Sequence, residues 1–286
     1  MSTSYKLGVI GGSGLYEMGD LSNVRELTVD TPFGKPSDAI ISGTHESGTE
    51  LLFLPRHGRG HRVAPHEINY RANISALKIA GATHLLSVSA VGSMKEHIAP
   101  GDFVVVDQFI DLTKKRITTF FEDGIVGHVG FSDPVCDKMA AAVAGAADSV
   151  GAKVHRGGTY VCMEGPQFSS RAESLVYRSW GVSVIGMTAM PEAKLAREAE
   201  LPFAVLALAT DYDSWHEGHD AVTVEQVVAT MKKNVDRAKQ TIAALPSRLP
   251  APSESRAFGA SKHAVMTSPE AVTPAAKARL SWLLGK

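Results

Sequence analysis

Residues 201–245, LPFAVLALATDYDSWHEGHDAVTVEQVVATMKKNVDRAKQTIAAL, combine the two periodicities that decide the fold. Phe203–Leu208 is an unbroken apolar run of strand length, which is typical of a strand buried on both faces. After Thr223, apolar residues recur at helical spacing, which predicts a long amphipathic helix. These residues are Val224, Val227, Val228, Met231, Val235, Ala238, Ile242 and Leu245. A buried strand followed by a helix is typical of an α/β fold.

The rest of the chain repeats this alternation. Two further helical patterns lie at Ile68–Ala80 and Asp137–Ala147, and capping boxes at Ser170 and Thr223 predict that helices begin just after them. Other apolar runs of strand length are Leu7–Ile10, Leu51–Leu54, Leu85–Val91, Phe103–Val106, Thr159–Met163 and Val182–Ile185. We therefore predict an α/β fold in which helices flank a mostly parallel or mixed sheet.

Composition excludes several classes of protein. The 286 residues include 29 basic and 30 acidic ones, so no basic excess indicates a nucleic-acid or membrane partner. No apolar run approaches the roughly 20 residues that span a bilayer, and the amino terminus lacks a signal-peptide pattern, so we expect a cytoplasmic protein. Two cysteines, Cys136 and Cys162, are too few for a disulfide framework, and the histidines show no metal-binding spacing, so no metal site is predicted.

The carboxyl-terminal residues differ in composition from the rest. From Pro246 the chain is rich in Pro, Ser, Ala and Lys, as in PSRLPAPSESRAFG, which predicts a loosely ordered tail over residues 246–286 beside a catalytic unit over residues 1–245. Thr273 and Pro274 fit the cap and first position of a short helix in this tail. That helix ends in apolar residues that need a surface to dock on, Leu280, Trp282 and Leu283.

Three stretches at predicted strand ends could bind an anion. GGSG at 11–14 fails the dinucleotide-binding pattern because Glu17 replaces its last glycine, so its amides and the Ser13 hydroxyl either approach an anion or form a plain turn. Arg56 and His57 either grip a phosphate, with the guanidinium making two parallel hydrogen bonds, or belong to a solvated basic turn. SVSAVGS at 87–93 either faces a ligand or is an ordinary turn of small residues.

Two further candidates contain aromatic or acidic residues. Phe168 lies in MEGPQFSSRAES, just before a predicted helix start. Asp211 and Asp213 follow the strand at 203–208 and, in an extended segment, point to the same side, so both carboxylates could meet one ligand. A solvated turn is the alternative. No serine lies in a GxSxG elbow.

Taken together, these motifs resemble the methylthioadenosine phosphorylases of the trimeric purine nucleoside phosphorylase family. The resemblance covers roughly residues 5–245 and lies in VIGGSGLYE, VDTPFGKPSDA, RHGRGH, NYRANISALK, PGDFVVVDQFID, EGPQFSSRAES, GMTAMPEAKLA and ATDYDSW. It implies a nucleoside phosphorylase fold with a partly barrel-like mixed sheet, a homotrimer, and phosphorolysis of methylthioadenosine without a cofactor, inorganic phosphate being the co-substrate.

The resemblance also implies a role for each site residue. The phosphate ligands would be Ser13, Arg56, His57, Ser89, Ala90 and Thr188. The nucleoside would contact Phe168, Ile185, Met187, Asp211, Asp213 and, from a neighbouring subunit, His128. Asp211 would be the catalytic acid that protonates N7 of adenine, with a pKa raised by burial and by Asp213.

Other functions stay open from the sequence. A nucleosidase would use water in place of phosphate, and a phosphorylase for 6-oxopurine nucleosides such as methylthioinosine would typically have asparagine in place of Asp211. A non-catalytic nucleoside-binding protein is the alternative outside enzymes. The chain departs from animal relatives in a shorter stretch between Phe120 and Asp133 and in its tail, whose apolar helix end we expect to dock over a neighbouring subunit's site.

Overall fold

The computed structural model describes residues 5–12, 14–15, 18–19, 21–216 and 224–285, with backbone alone at positions 224, 226, 227 and 229. The strands are β1 Lys6–Gly11, β2 Ser22–Leu27, β3 Ile40–Thr44, β4 Glu50–Pro55, β5 His84–Ser93, β6 Phe103–Val105, β7 Gln108–Asp111, β8 Val154–Arg156, β9 Thr159–Cys162, β10 Val184–Gly186 and β11 Phe203–Asp211. The helices are α1 Tyr70–Ile79, α2 Asp137–Ser149, α3 Arg171–Ser179, α4 Ala189–Glu198, α5 Val224–Ala244, α6 Pro274–Arg279 and α7 Ser281–Leu284.

The strands form one mixed sheet that branches at β5. This ten-residue strand pairs in parallel with β1 and β11 and antiparallel with β10. One branch continues through β10 and β9 to β7, and the other through β11 and β6 to β8. Only two residues separate β6 from β7, which lie in different branches, so the branches meet and the sheet curls. The predicted α/β class with a mixed, partly barrel-like sheet is confirmed.

Both faces of the sheet are covered, as the apolar runs predicted. Along β1, Leu7 and Val9 belong to one buried cluster while Ile10 belongs to the other, and β4 alternates in the same way. One cluster packs under α2 and α5, and the second under α1 and α4. Every strand predicted from the sequence is present, although β10 begins two residues later than expected, at Val184.

The capping prediction at Ser170 is confirmed. Its hydroxyl accepts from the amide of Glu173, whose carboxylate accepts from the amide of Ser170, so α3 begins at Arg171. The predicted capping box at Thr223 lies outside the described residues. Cys136 and Cys162 are both buried and unpaired. No helix of the described chain is long and apolar enough to cross a membrane.

The tail is ordered, and the prediction of a loose one is wrong. Thr273 caps α6, with its hydroxyl accepting from the amide of Ala276. The apolar helix end packs on its own chain: Leu280 and Leu283 are buried in the core, and Trp282 lies edge-on to Phe120 at a centroid distance of 5.0 Å. Leu280 and Leu283 are therefore buried in their own chain and do not present a surface to a neighbouring subunit, whereas Trp282 is partly exposed. Burial of apolar side chains outweighs the Pro- and Ser-rich composition that suggested disorder.

Candidate active site

A cavity of about 590 Å³ opens where several strands end. Its floor is formed by the carboxyl-terminal ends of β5 and β11 together with β10, and one wall is the amino-terminal half of α5. Ends of strands are where α/β sheets bind ligands. The lining includes nearly all of the residues predicted from the sequence: Arg56, His57, Ser89, Ala90, Phe168, Ile185, Met187, Thr188, Asp211 and Asp213.

Arg56 lies at the end of β4 and is almost wholly buried. Its Nε and Nη2 atoms donate to the two carboxylate oxygens of Glu192 at 2.5 and 3.0 Å, so the planar fork faces a buried counter-ion. Nη2 also donates to Ser87 and to the Ile10 carbonyl, and Nη1 donates to the Val88 carbonyl. A single Nη1 hydrogen stays available for a ligand. The predicted grip through two parallel hydrogen bonds is therefore wrong, since Glu192 occupies that edge.

The charge of Arg56 is balanced inside the protein. Burial opposes its ionisation, but the attraction of Glu192 keeps the pKa of Arg56 above its ordinary value. Glu192 has no exposed surface, and its second oxygen also accepts from the Ser87 hydroxyl at 2.7 Å. The pair thus fixes the guanidinium without placing a net charge in the cavity.

His57 is neutral in this site. Burial, reinforced by the neighbouring charge of Arg56, lowers the pKa of His57 to about 4. Its Nδ1 lies 2.8 Å from the Val63 carbonyl, which only accepts, so Nδ1 holds the proton and Nε2 is an acceptor. The ring stacks on His61 at a centroid distance of 4.3 Å. The alternative of a solvated basic turn applies instead to the exposed Arg59, which pairs with Glu26 and Asp38.

Two hydroxyls and a small residue line the same half of the cavity as Arg56 and His57. Ser89 is buried, and its hydroxyl has no hydrogen-bond partner among the described residues. Thr188 is the residue before α4, yet its side chain does not cap that helix. Ala90, between Ser89 and Val91 on β5, lines the cavity beside them. Buried hydroxyls without protein partners are suited to binding a polar ligand. Ser13 lies outside the described residues.

A bulge at the end of β11 positions Asp211. Ala209 pairs with Val91 and Asp211 pairs with Gly92, so Thr210 is an extra residue on β11. A Cβ on Gly92 would lie 2.9 Å from Oδ1 of Asp211 and 3.1 Å from Cβ of Asp213, so only glycine leaves room for both aspartates.

The Asp211 carboxyl group is partly buried and accepts hydrogen bonds from the Thr210 hydroxyl and the Asp213 amide. The Thr210 hydroxyl, with one hydrogen, lies 3.2 Å from the Val91 carbonyl and 2.7 Å from Oδ2 of Asp211. The Thr210 hydroxyl is the donor in both contacts, so its single hydrogen is shared between the Val91 carbonyl and the Asp211 carboxylate. Burial, together with the charge of Asp213, raises the pKa of Asp211. The prediction of a raised pKa is confirmed.

Asp213 is held as an acceptor. The Ser169 hydroxyl lies 3.0 and 2.8 Å from its two carboxylate oxygens, and the Ser174 hydroxyl donates to Oδ2. The backbone of Asp213 has a positive φ of 51° at the start of a short 3-10 turn, and its amide donates to Asp211 Oδ1 at 2.8 Å. The two carboxylates do line one cavity, but a bulge and a turn bring them together rather than an extended segment.

The remaining wall is apolar. Phe168 and Met187 are partly exposed and Ile185 is buried, and all three line the cavity. Arg116, which sequence reasoning missed, anchors this wall by donating to the carbonyls of Met187 and Glu164 at 2.6 and 2.8 Å. Phe168 separates the cavity from a neighbouring groove on α3.

His128 does not line the cavity of its own chain. It is exposed, and its amide donates to the Ala264 carbonyl of the tail. Beside it, Gly127 forms an antiparallel bridge with Val265. The tail therefore fixes the backbone on which His128 lies.

Comparison with known proteins shows the family to which the chain belongs. The sequence-family model of the phosphorylase superfamily matches residues 6–246 of this chain. The chain belongs to this superfamily. The fold that the motifs implied is confirmed, since members of the same family share it: a methylthioadenosine phosphorylase sourced from an Antarctic soil metagenomic library superposes with a TM-score of 0.92 at 46% identity, covering 98% of this chain and 99% of that one.

Two further members of the family extend the comparison. The S-methyl-5'-thioadenosine phosphorylase of Geobacter sulfurreducens is 54% identical over 280 residues, which are 98% of this chain and 98% of the relative. The methylthioadenosine phosphorylase of Schistosoma mansoni, solved in complex with adenine, has a TM-score of 0.81 at 36% identity, covering 85% of this chain and 91% of that one.

Proposed function

We propose that this chain cleaves 5'-methylthioadenosine with inorganic phosphate, giving adenine and 5-methylthioribose 1-phosphate. The observation that carries the proposal is the pair of aspartates that line one cavity, because burial raises the pKa of Asp211 whereas Asp213 accepts from the hydroxyls of Ser169 and Ser174. The relatives named S-methyl-5'-thioadenosine phosphorylase, at about half identity over nearly the whole chain, support it.

The aspartate pair suits an adenine leaving group. Breaking the N9–C1' bond leaves negative charge on the purine, and a proton from Asp211 to N7 neutralises it. The Asp213 carboxylate accepts from the N6 amino group, which a 6-oxopurine lacks. Burial raises the pKa of Asp211, which favours the protonated form that this transfer needs.

The opposite half of the cavity suits phosphate. Ser89, Thr188 and the Ala90 amide would donate to its oxygens, together with the free Nη1 hydrogen of Arg56 and, from the glycine loop, Ser13. Nε2 of His57 would accept from the P–OH group. Phosphate held here attacks C1' as the purine leaves, so the C1'–O bond forms while the N9–C1' bond breaks. Neither step requires a metal or a cofactor.

The complete site would contain a second copy of the chain. His128 is exposed and outside its own cavity, so it can reach a nucleoside only in a neighbouring subunit. We infer a homotrimer in which the tail, by pairing with the segment around Gly127, positions His128 towards the neighbour. The enzyme would act in the cytoplasm, in purine and methionine salvage.

The test is release of adenine from methylthioadenosine with and without inorganic phosphate, with methylthioinosine as a parallel substrate. Release that requires phosphate and yields 5-methylthioribose 1-phosphate supports the proposal. Release with water alone indicates a nucleosidase, and preference for methylthioinosine contradicts the role given to the aspartate pair.

A further inference from the structure

Two basic residues in the phosphate half of the cavity, Arg56 and His57, add no net positive charge to it. Arg56 is balanced by Glu192, which is wholly buried beside it. His57 is neutral, because its Nδ1 donates to a carbonyl and its pKa is well below neutrality. An anion that enters this half meets hydrogen-bond donors, whereas a doubly charged phosphate also needs a counter-charge to leave water.

Two more basic side chains line the described part of the cavity, His61, which stacks on His57, and Lys232 on α5. Val228, Met231, Lys232 and Val235 recur at helical spacing and all face the cavity. Lys232 is exposed and makes no ion pair or hydrogen bond with the described residues. It is therefore a cation at the rim of the site that has no counter-ion among the described residues.

The position of α5 places this cation near the phosphate half. A Cβ on Gly14 would lie 3.8 Å from Cγ1 of Val235, so the helix passes beside the glycine loop that follows β1. Lys232 lies three residues before Val235, which is less than one helical turn and about 4.5 Å along the axis. Its flexible side chain spans that distance. The next residue, Lys233, is exposed and does not line the cavity.

We propose that Lys232 supplies the counter-charge that attracts inorganic phosphate into the cavity and holds it there. This inference rests on the proposed phosphorolysis. Lys232 acts as a binding residue for the co-substrate, and the nucleoside, which is uncharged before it is protonated, does not need it. The effect therefore belongs to phosphate affinity rather than to the chemical step.

The experiment compares Lys232→Met, Lys232→Arg and the matched control Lys233→Met. The KM for phosphate is measured at saturating methylthioadenosine, and the KM for methylthioadenosine at saturating phosphate, at low and high KCl. All three variants should fold, since methionine and arginine are good helix formers and both positions are exposed. Thermal unfolding with and without inorganic phosphate gives a second measure of binding.

We expect Lys232→Met to raise the KM for phosphate by roughly tenfold, the size of one charge-assisted contact, with less than a threefold change in kcat and in the KM for the nucleoside. Lys232→Arg should keep the KM within about threefold and Lys233→Met within about twofold. KCl should raise the phosphate KM of the unmodified enzyme more than that of Lys232→Met, because salt screens an exposed charge.

Two results would overturn the inference. One is a phosphate KM in Lys232→Met that equals that of Lys233→Met, with the same response to KCl. The other is an equal loss in Lys232→Arg and Lys232→Met, because charge would then not be what matters. Both are distinct from failure of the proposed function, which the unmodified enzyme alone would reveal by releasing adenine without phosphate.

Discussion

The two halves of the cavity neutralise their buried charged side chains in different ways. At the end of β4, Arg56 is neutralised by a counter-ion, Glu192, that is fixed by the same network. At the end of β11, burial raises the pKa of Asp211, which favours its neutral, protonated form. The ion pair of Arg56 and Glu192 keeps both of its charges, whereas Asp211 in its protonated form can transfer a proton. The difference shows which half can bind without reacting and which half can do acid chemistry.

The largest expected effect is a loss of stability when Arg56 loses its counter-ion. We expect Glu192→Gln to lower the free energy of unfolding by about 3–5 kcal/mol, because the guanidinium then lies buried without a partner charge. Urea unfolding followed by circular dichroism measures the change. The matched control is Glu26→Gln, which removes an exposed partner of Arg59 and should cost under about 1 kcal/mol. Equal losses in the two variants would mean that the buried pair has no special weight.

Substitution of Asp211 should slow the chemical step of the reaction. We expect Asp211→Asn to lower kcat for methylthioadenosine by roughly 100- to 1000-fold, since asparagine cannot give a proton to N7. The KM for phosphate should change little. Because Asp211 acts in its protonated form and its pKa is raised, kcat of the unmodified enzyme should fall as the pH rises through that pKa, and this limb should be absent in the variant. Full activity in Asp211→Asn would remove the general-acid role.

The same variant sharpens the comparison of substrates. An asparagine can donate to a 6-oxopurine, so the ratio of methylthioinosine to methylthioadenosine cleavage should rise in Asp211→Asn. Rates on both substrates at saturating phosphate measure the ratio. An unchanged ratio would show that the aspartate does not select the base.

Much of the fold could be predicted because its strands are apolar on both faces. The run at 203–208 identifies a buried strand without reference to its neighbours. By contrast, β2 is exposed along nearly its whole length and shows no such signal. The order of the tail could not be predicted either, because Trp282 gains its surroundings from Phe33 and Phe120, far away in sequence.

The residues of the site were easier to predict than the contacts between them. Arg56, His57 and the aspartate pair were identified from motifs, and the structure places them in one cavity. The partner of Arg56 lies 136 residues away, so no local pattern indicates that Glu192 occupies the fork. The bulge at Thr210 is equally invisible, since it depends on how β11 pairs with β5.

The smallest expected effect concerns what holds Asp213. Ser174 is wholly buried on α3 and donates to Oδ2 of Asp213, so Ser174→Ala removes one of the hydroxyls that donate to this carboxyl group. We expect kcat/KM for methylthioadenosine to fall by roughly tenfold, the size of one hydrogen bond. The control is Ser179→Ala on the same helix, where the hydroxyl donates only to the Val176 carbonyl. If the two variants have the same kcat/KM, the hydroxyl of Ser174 is not needed to hold Asp213, and the backbone turn together with Ser169 is sufficient.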